Sequence, residues 1–143
     1  GVTMSDLKLN YEVDGGDLVQ AGEASSKMKM TLKKLGLPPE VIRRASICMY
    51  EGEINMVIHA DGGEVEVDVG MDTITIRLTD HGPGIPDVDQ AMEEGFSTAG
   101  DVARDLGFGA GMGLPNMKRC SDDMQIDTQV GVGTTVTMKI HIN

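Results

Sequence analysis

Five short stretches of this chain alternate apolar with polar residues, and none is apolar throughout. The first covers about residues 6–13, where Leu7, Leu9, Tyr11 and Val13 are separated by polar side chains. Val65, Val67 and Val69 alternate with Glu64, Glu66 and Asp68, and Ile74, Ile76 and Leu78 alternate with Thr73, Thr75, Arg77 and Thr79. Met124, Ile126 and Val130 mark the fourth stretch, and Val136, Met138, Ile140 and Ile142 the fifth. A two-residue period collects the apolar side chains on one face of a strand. A strand covered on both faces would read as an unbroken apolar run instead. The pattern therefore predicts an α/β two-layer sandwich, with a mostly antiparallel mixed sheet, helices on one face and solvent on the other.

The helices that must cover that sheet are also marked. Gly15-Gly16 ends the first strand, and Asp17 can cap a helix running to about Lys34, stopped by Gly36 and Pro38-Pro39. Proline is well tolerated at a helix start, so a second helix is expected from near Pro39 to about Ala60. Asp61-Gly62-Gly63 is turn chemistry, and Gly70-Met71-Asp72 and Gly131-Val132-Gly133 each read as hairpin turns. Residues 81–111 hold seven glycines and read as a mobile loop with one short helix near 87–94. A last helix is expected from near Met112 to near Cys120.

The 143 residues suit a single domain spanning 1–143. Twelve Lys and Arg against 23 Asp and Glu give a net charge of −11, which speaks against non-specific nucleic-acid binding and against docking on an anionic membrane. No apolar run reaches the roughly 18 residues of a membrane span, and the first 20 residues carry four acidic side chains where a leader would be apolar. Cys48 and Cys120 form no CxxC pair, so a reducing cytoplasm is the expected compartment. Eleven Met against four aromatic residues point to Met as adaptable core filler.

Four groups of residues could carry chemistry. On the second helix, Glu51, Asn55 and His59 fall at 0°, 40° and 80° on a wheel of about 100° per residue, beside the apolar stripe of Ile47, Ile54 and Ile58. They read either as a base, a metal-ligating amide and a phosphate contact in a row, or as a satisfied polar network. Asp80 ends a strand and opens Asp80-His81-Gly82-Pro83-Gly84-Ile85, where Gly82 and Gly84 allow close backbone approach to a ligand. An Asp there can accept from an exocyclic amino group, or the segment is a plain turn. In Gly107-Phe108-Gly109-Ala110-Gly111-Met112-Gly113-Leu114, glycines at spacing two run into a helix start, which suits phosphate oxygens. It is neither a P-loop nor the dinucleotide fingerprint. Gly131-Val132-Gly133-Thr134-Thr135 opens the last strand and alone is merely a hairpin with β-branched residues.

The order of these parts carries more than any one of them. A Glu-x-x-x-Asn helix, Asp-x-Gly-x-Gly, a glycine-rich lid and Gly-Thr before a strand together resemble the GHKL nucleotide-binding superfamily, with its Bergerat fold, over residues 6–142. Within it, Glu51–His59, the run Asp80–Asp87 (DHGPGIPD), Ala91–Gly100 (AMEEGFSTAG) and Gly109–Lys118 (GAGMGLPNMK) resemble the bacterial anti-sigma factor and switch serine-protein kinases. That resemblance implies ATP and Mg²⁺ as cofactors. It implies Glu51 as the base that activates the attacking hydroxyl, Asn55 as the Mg²⁺ ligand, and His59 near the phosphates. Asp80 would read the adenine amino group, with Gly82, Gly84 and Ile85 shaping its pocket. Gly109, Gly111 and Gly113 would hold phosphates, and Thr134 would support the adenine end. The implied partners are a small STAS-like antagonist protein as substrate and a sigma factor or other effector, and the likeness allows a homodimer. Arg104 and Lys118 are candidates for a phosphate-facing cation. Asp101–Leu106 lengthens the lid beyond that of the stress switch kinases. No phosphoacceptor helix precedes the domain, which turns the expectation away from an autophosphorylating histidine kinase. The alternative reading is a nucleotide-gated binding module with little turnover.

Overall fold

The computed structural model describes residues 7–15, 21–60, 62–92 and 113–142. Each alternating stretch becomes a strand: β1 (Leu7–Asp14), β2 (Gly62–Val69), β3 (Thr73–Asp80), β4 (Asp123–Gln129) and β5 (Gly133–His141). They form one sheet in the order β1-β2-β3-β5-β4, with all four pairings antiparallel. The register sets the apolar residues in rows. Leu9, Val67, Ile76, Met138 and Met124 lie side by side across the five strands, and Tyr11, Val65, Leu78, Val136 and Ile126 form the next row. A slip of one residue in any strand would turn its share of both rows to solvent, which is why the register is specific.

Helices α1 (Glu23–Lys34), α2 (Pro39–His59) and α4 (Gly113–Cys120) lie against this face, while α3 (Val88–Ala91) is a short turn of helix started by Asp87, whose side chain accepts from Gln90 N. The interior is aliphatic and sulfur-rich: Met28, Leu32, Ala45, Cys48, Met49 and Met117 from the helices close over Ile74, Ile76, Met138 and Ile140. Met28, Met49, Met56, Met117 and Met138 are all buried, so methionine does act as core filler here. The buried Cys48 thiol is pushed up to about 12 by loss of solvation, which keeps it neutral. Among the described residues, no helix is long and apolar enough to cross a membrane.

The start of α1 differs from the sequence expectation. Asp17 lies outside the described residues, and the described helix begins at Glu23 after a turn at Ala21-Gly22. Its cap comes from α2. The buried Glu53 carboxylate accepts from Gly22 N at 2.9 Å and Ala24 N at 3.1 Å through Oε2, and from Ser25 N at 3.1 Å through Oε1. These are the orphan donors of a helix N-terminus, satisfied by a side chain from a neighbouring helix. One residue earlier on α2, Gly52 lets the helix approach the sheet: a Cβ there would lie 2.5 Å from Leu78 Cδ2.

Removing the Glu53 carboxylate should therefore cost more than an ordinary surface change. Glu53→Ala is expected to destabilise the protein by about 3 kcal/mol, since charged hydrogen bonds are lost and buried amides are left unpaired. Urea unfolding checks this; an unfolding free energy within about 0.5 kcal/mol of the parent, the range of ordinary surface substitutions, would show that α1 is capped in another way.

Candidate functional site

Two clusters of the expected residues form, one at each end of the last turns of α2. In the first, α2 presents Glu51, Asn55 and His59, all half-buried, as the helical spacing requires. Burial raises the Glu51 pKa above the usual carboxylate value, and a hydrogen bond from Asn116 Nδ2 to Oε1, at 3.4 Å, opposes that rise. Burial lowers the His59 pKa, which favours the neutral imidazole. Gly113, the first residue of α4, packs directly on Asn55. A Cβ at Gly113 would lie 2.9 Å from both Oδ1 and Nδ2 of the Asn55 amide. Glycine at this position keeps the amide end of Asn55 open and brings it to a helix N-terminus with its unpaired backbone donors.

The second cluster sits where β3 meets β5. Asp80 pairs in register with Thr134. Its Oδ1 accepts from Gly82 N at 2.9 Å and from Thr134 N at 3.2 Å. Oδ2 makes no hydrogen bond among the described residues, so the carboxylate is fixed by one oxygen and open at the other. Gly82 closes against the end of α2, since its Cβ would lie 2.6 Å from that of Ala60. Gly84 takes φ of +80° and faces the Gln129 carbonyl, a conformation and a distance that exclude other residues. Ile85 N donates to Thr128 Oγ1 at 2.8 Å, and that hydroxyl meets Thr134 Oγ1 at 2.9 Å.

Nine of the eleven expected site residues are thus described, and they gather around the C-terminal half of α2 and the β3 end. Gly109 and Gly111 lie outside the described residues, as do Arg104 and the extended lid at 101–106. Lys118 is exposed on α4. Three residues went unread in the sequence. Thr128 is a polar residue at a position where the Met124–Ile126 alternation calls for an apolar one, and that break in period was its signal. Asn116 stood inside the GAGMGLPNMK run, between residues that prove buried, Pro115 and Met117. Glu53 gave no local signal, because its partners lie 28 to 31 residues away.

Residues 42–143 match the family described as histidine kinase-, DNA gyrase B-, and HSP90-like ATPase. The chain belongs to this family. The serine/threonine-protein kinase RsbT of Bacillus subtilis is 33% identical over 108 residues, which cover 73% of this chain and 75% of the relative. An anti-sigma F factor of Clostridium beijerinckii is 28% identical over 148 aligned positions, 98% of each chain. That of Geobacillus kaustophilus is 31% identical over 103 residues, 72% of this chain and 64% of its own. Among solved structures, the RsbU and RsbW domains of a Mycobacterium tuberculosis protein align with a TM-score of 0.63 at 15% identity, over 94% of this chain and 31% of that one. At that identity the likeness concerns the fold, and it agrees with the antiparallel sheet and helical layer described above.

The Glu51 environment has a consequence for stability. A carboxyl whose pKa is raised on folding binds its proton more tightly in the folded state, so stability falls as pH rises from the unfolded value through the folded one. Glu51→Gln removes the buried charge and should raise the melting temperature at pH 7.5, with a smaller gain at pH 4. Equal gains at both pH values would mean that ionisation of Glu51 carries no stability cost.

Proposed function

We propose that this chain is an ATP- and Mg²⁺-dependent serine/threonine protein kinase of a bacterial regulatory switch. Its substrate is a small antagonist protein, and a sigma factor or comparable effector is its second partner. The observation that carries this reading is Glu51: a half-buried carboxylate of raised pKa, one turn of α2 from the Asn55 amide that Gly113 leaves open. A protein that only senses ATP has no use for such a base.

The residues present suit the cofactors. Asp80, with Oδ1 anchored on two backbone amides and Oδ2 open, suits an exocyclic amino group. Gly82 and Gly84 keep side chains out of the adjoining space. Gly113 and the N-terminus of α4 suit phosphate oxygens. Among the described residues, no three His, Cys, Asp or Glu side chains could together hold a metal. Asn55 Oδ1 would accordingly be the protein ligand of Mg²⁺, with phosphate oxygens and water making up the rest, as is usual for this ion. ATP supplies the electrophilic γ-phosphoryl group. Glu51 accepts the proton of the attacking seryl or threonyl hydroxyl, and the Asn55 side keeps the phosphates aligned with it. The names of the relatives, a serine/threonine-protein kinase and anti-sigma F factors, support both the activity and the class of partner. The anti-sigma names also support a second reading, a nucleotide-gated binding module with little turnover.

Transfer of label from γ-³²P-ATP to candidate antagonist proteins, tested one by one, separates the two. Glu51→Gln should abolish transfer while ATP still binds, and Asn55→Ala should lose the Mg²⁺-dependent part of binding. Parental transfer in Glu51→Gln would remove the base assignment. Asp80→Asn should weaken ATP binding by ~1–3 kcal/mol, the cost of unpairing a buried polar group. GTP, which carries a carbonyl in place of the adenine amino group, should bind poorly. Calorimetry giving equal affinity for ATP and GTP would take Asp80 out of this role.

A further inference from the structure

Helix α4 runs antiparallel along α2, and contacts between them fall at successive turns. Gly113 abuts the Asn55 amide, Asn116 reaches Glu51, Met117 O accepts from Cys48 Sγ, and Cys120 O accepts from Arg44 Nε. The register between the two helices is thus fixed on both sides of the Asn116–Glu51 contact. Among the described residues, Asn116 gives Glu51 its only hydrogen bond. The Asn116 amide is itself held: its Oδ1 accepts from Arg119 Nη2 at 2.5 Å, one turn further along α4. This settles which way the amide points. Arginine can only donate and an ionised carboxylate can only accept, so Oδ1 must face Arg119 and Nδ2 must face Glu51.

We propose that Asn116, oriented by Arg119, is a positioning residue that holds Glu51 by Oε1 and leaves Oε2 turned to the attacking hydroxyl. The proposal rests on the reading of Glu51 as the base. Glutamate has three side-chain torsions, and an unrestrained carboxylate would sample orientations that cannot take the proton. One fixed donor removes much of that freedom without occupying both oxygens. The same contact opposes the rise in pKa that burial imposes on Glu51, and so keeps more of the base ionised near neutral pH. Asn116 lies on the helix whose first residue meets Asn55, so the nucleotide end and the base share one rigid element.

The test uses the full chain with MgATP, reading ADP formation and transfer to the antagonist. Asn116→Asp keeps the shape of the side chain but loses the donor, and Asn116→Ala removes the group. Both should lower kcat by about 10–100-fold, the usual cost of releasing a residue that orients a reacting group. KM for ATP should stay within about twofold, because no nucleotide contact is lost. A second readout needs no turnover. In the nucleotide-free protein, the Asn116 side-chain amide protons should move upfield in the NMR spectrum of Glu51→Ala, as their carboxylate acceptor is lost. An unmoved amide resonance, or an Asn116→Asp variant with parental kcat while Glu51→Gln is inactive, overturns the positioning role and leaves the kinase reading intact. Parental transfer in Glu51→Gln overturns the base and this proposal together, and so marks the other failure.

Discussion

The buried Glu53 carboxylate, bonded to three backbone amides at the start of α1, is the contact on which the helical layer depends. It ties two helices whose facing sides are otherwise joined by non-directional apolar packing, such as that of Met28 and Leu32 against the interior. Directional bonds to three amides specify the rotation of α2 about its own axis in a way that methionine packing cannot, because methionine adapts to its surroundings. Gly52 specifies the distance in the same region, by admitting the Leu78 side chain to the helix backbone. With rotation and distance set at residues 52 and 53, the neighbours Glu51 and Asn55 have one orientation relative to the sheet.

The cluster around Asp80 is built by a different rule. There the backbone of the sheet supplies the rigidity. Asp80 and Thr134 are register partners on β3 and β5, and the Thr134 amide holds Asp80 Oδ1. Thr128 then carries that order outward, from Thr134 on β5 to the backbone of Ile85 in the loop. A hairpin turn at residues 130–132 makes this feasible, and Gly131 N reaches back to the Pro83 carbonyl at 2.9 Å. The glycine-bearing loop is thereby pinned along one side by the β4–β5 hairpin. A ligand approaching Asp80 meets a hydrogen-bonded wall, which lowers the ordering cost of binding there.

Most of this fold was legible because its signals are local. Period-two alternation located all five strands to within about two residues, and Pro39 marked the start of α2 where the structure has it. Which residues would gather at one place was legible where they stood in short runs, as with Glu51–Asn55 and Asp80–Gly84. The helix wheel was enough to set Glu51, Asn55 and His59 on a half-buried flank. What escaped was long-range. The cap of α1 is supplied by Glu53 from across the layer, while the sequence offered Asp17 as a local substitute. Asn116 becomes meaningful only once α4 is laid beside α2, since nothing in residues 113–120 says which side chain of α2 it will meet. Thr128 lies between these cases: its break in the apolar period was visible, but its partners on β5 and in the loop were not.

Glu51 and Glu53 make the same point about chemistry. They are two residues apart on one helix, share a side-chain type, and end in opposite conditions. Glu53 is almost fully buried, and both of its oxygens are engaged by backbone donors. Glu51 is half-buried, has one donor at 3.4 Å, and loses solvation without full repayment in hydrogen bonds. A carboxylate satisfied on all sides can only be structural, whereas one left short of partners holds its proton more readily and can exchange it. The helix thus separates the two roles by which face each residue occupies. Because Glu53 sets the rotation of α2, the fully bonded carboxylate determines where the half-buried Glu51 carboxylate stands.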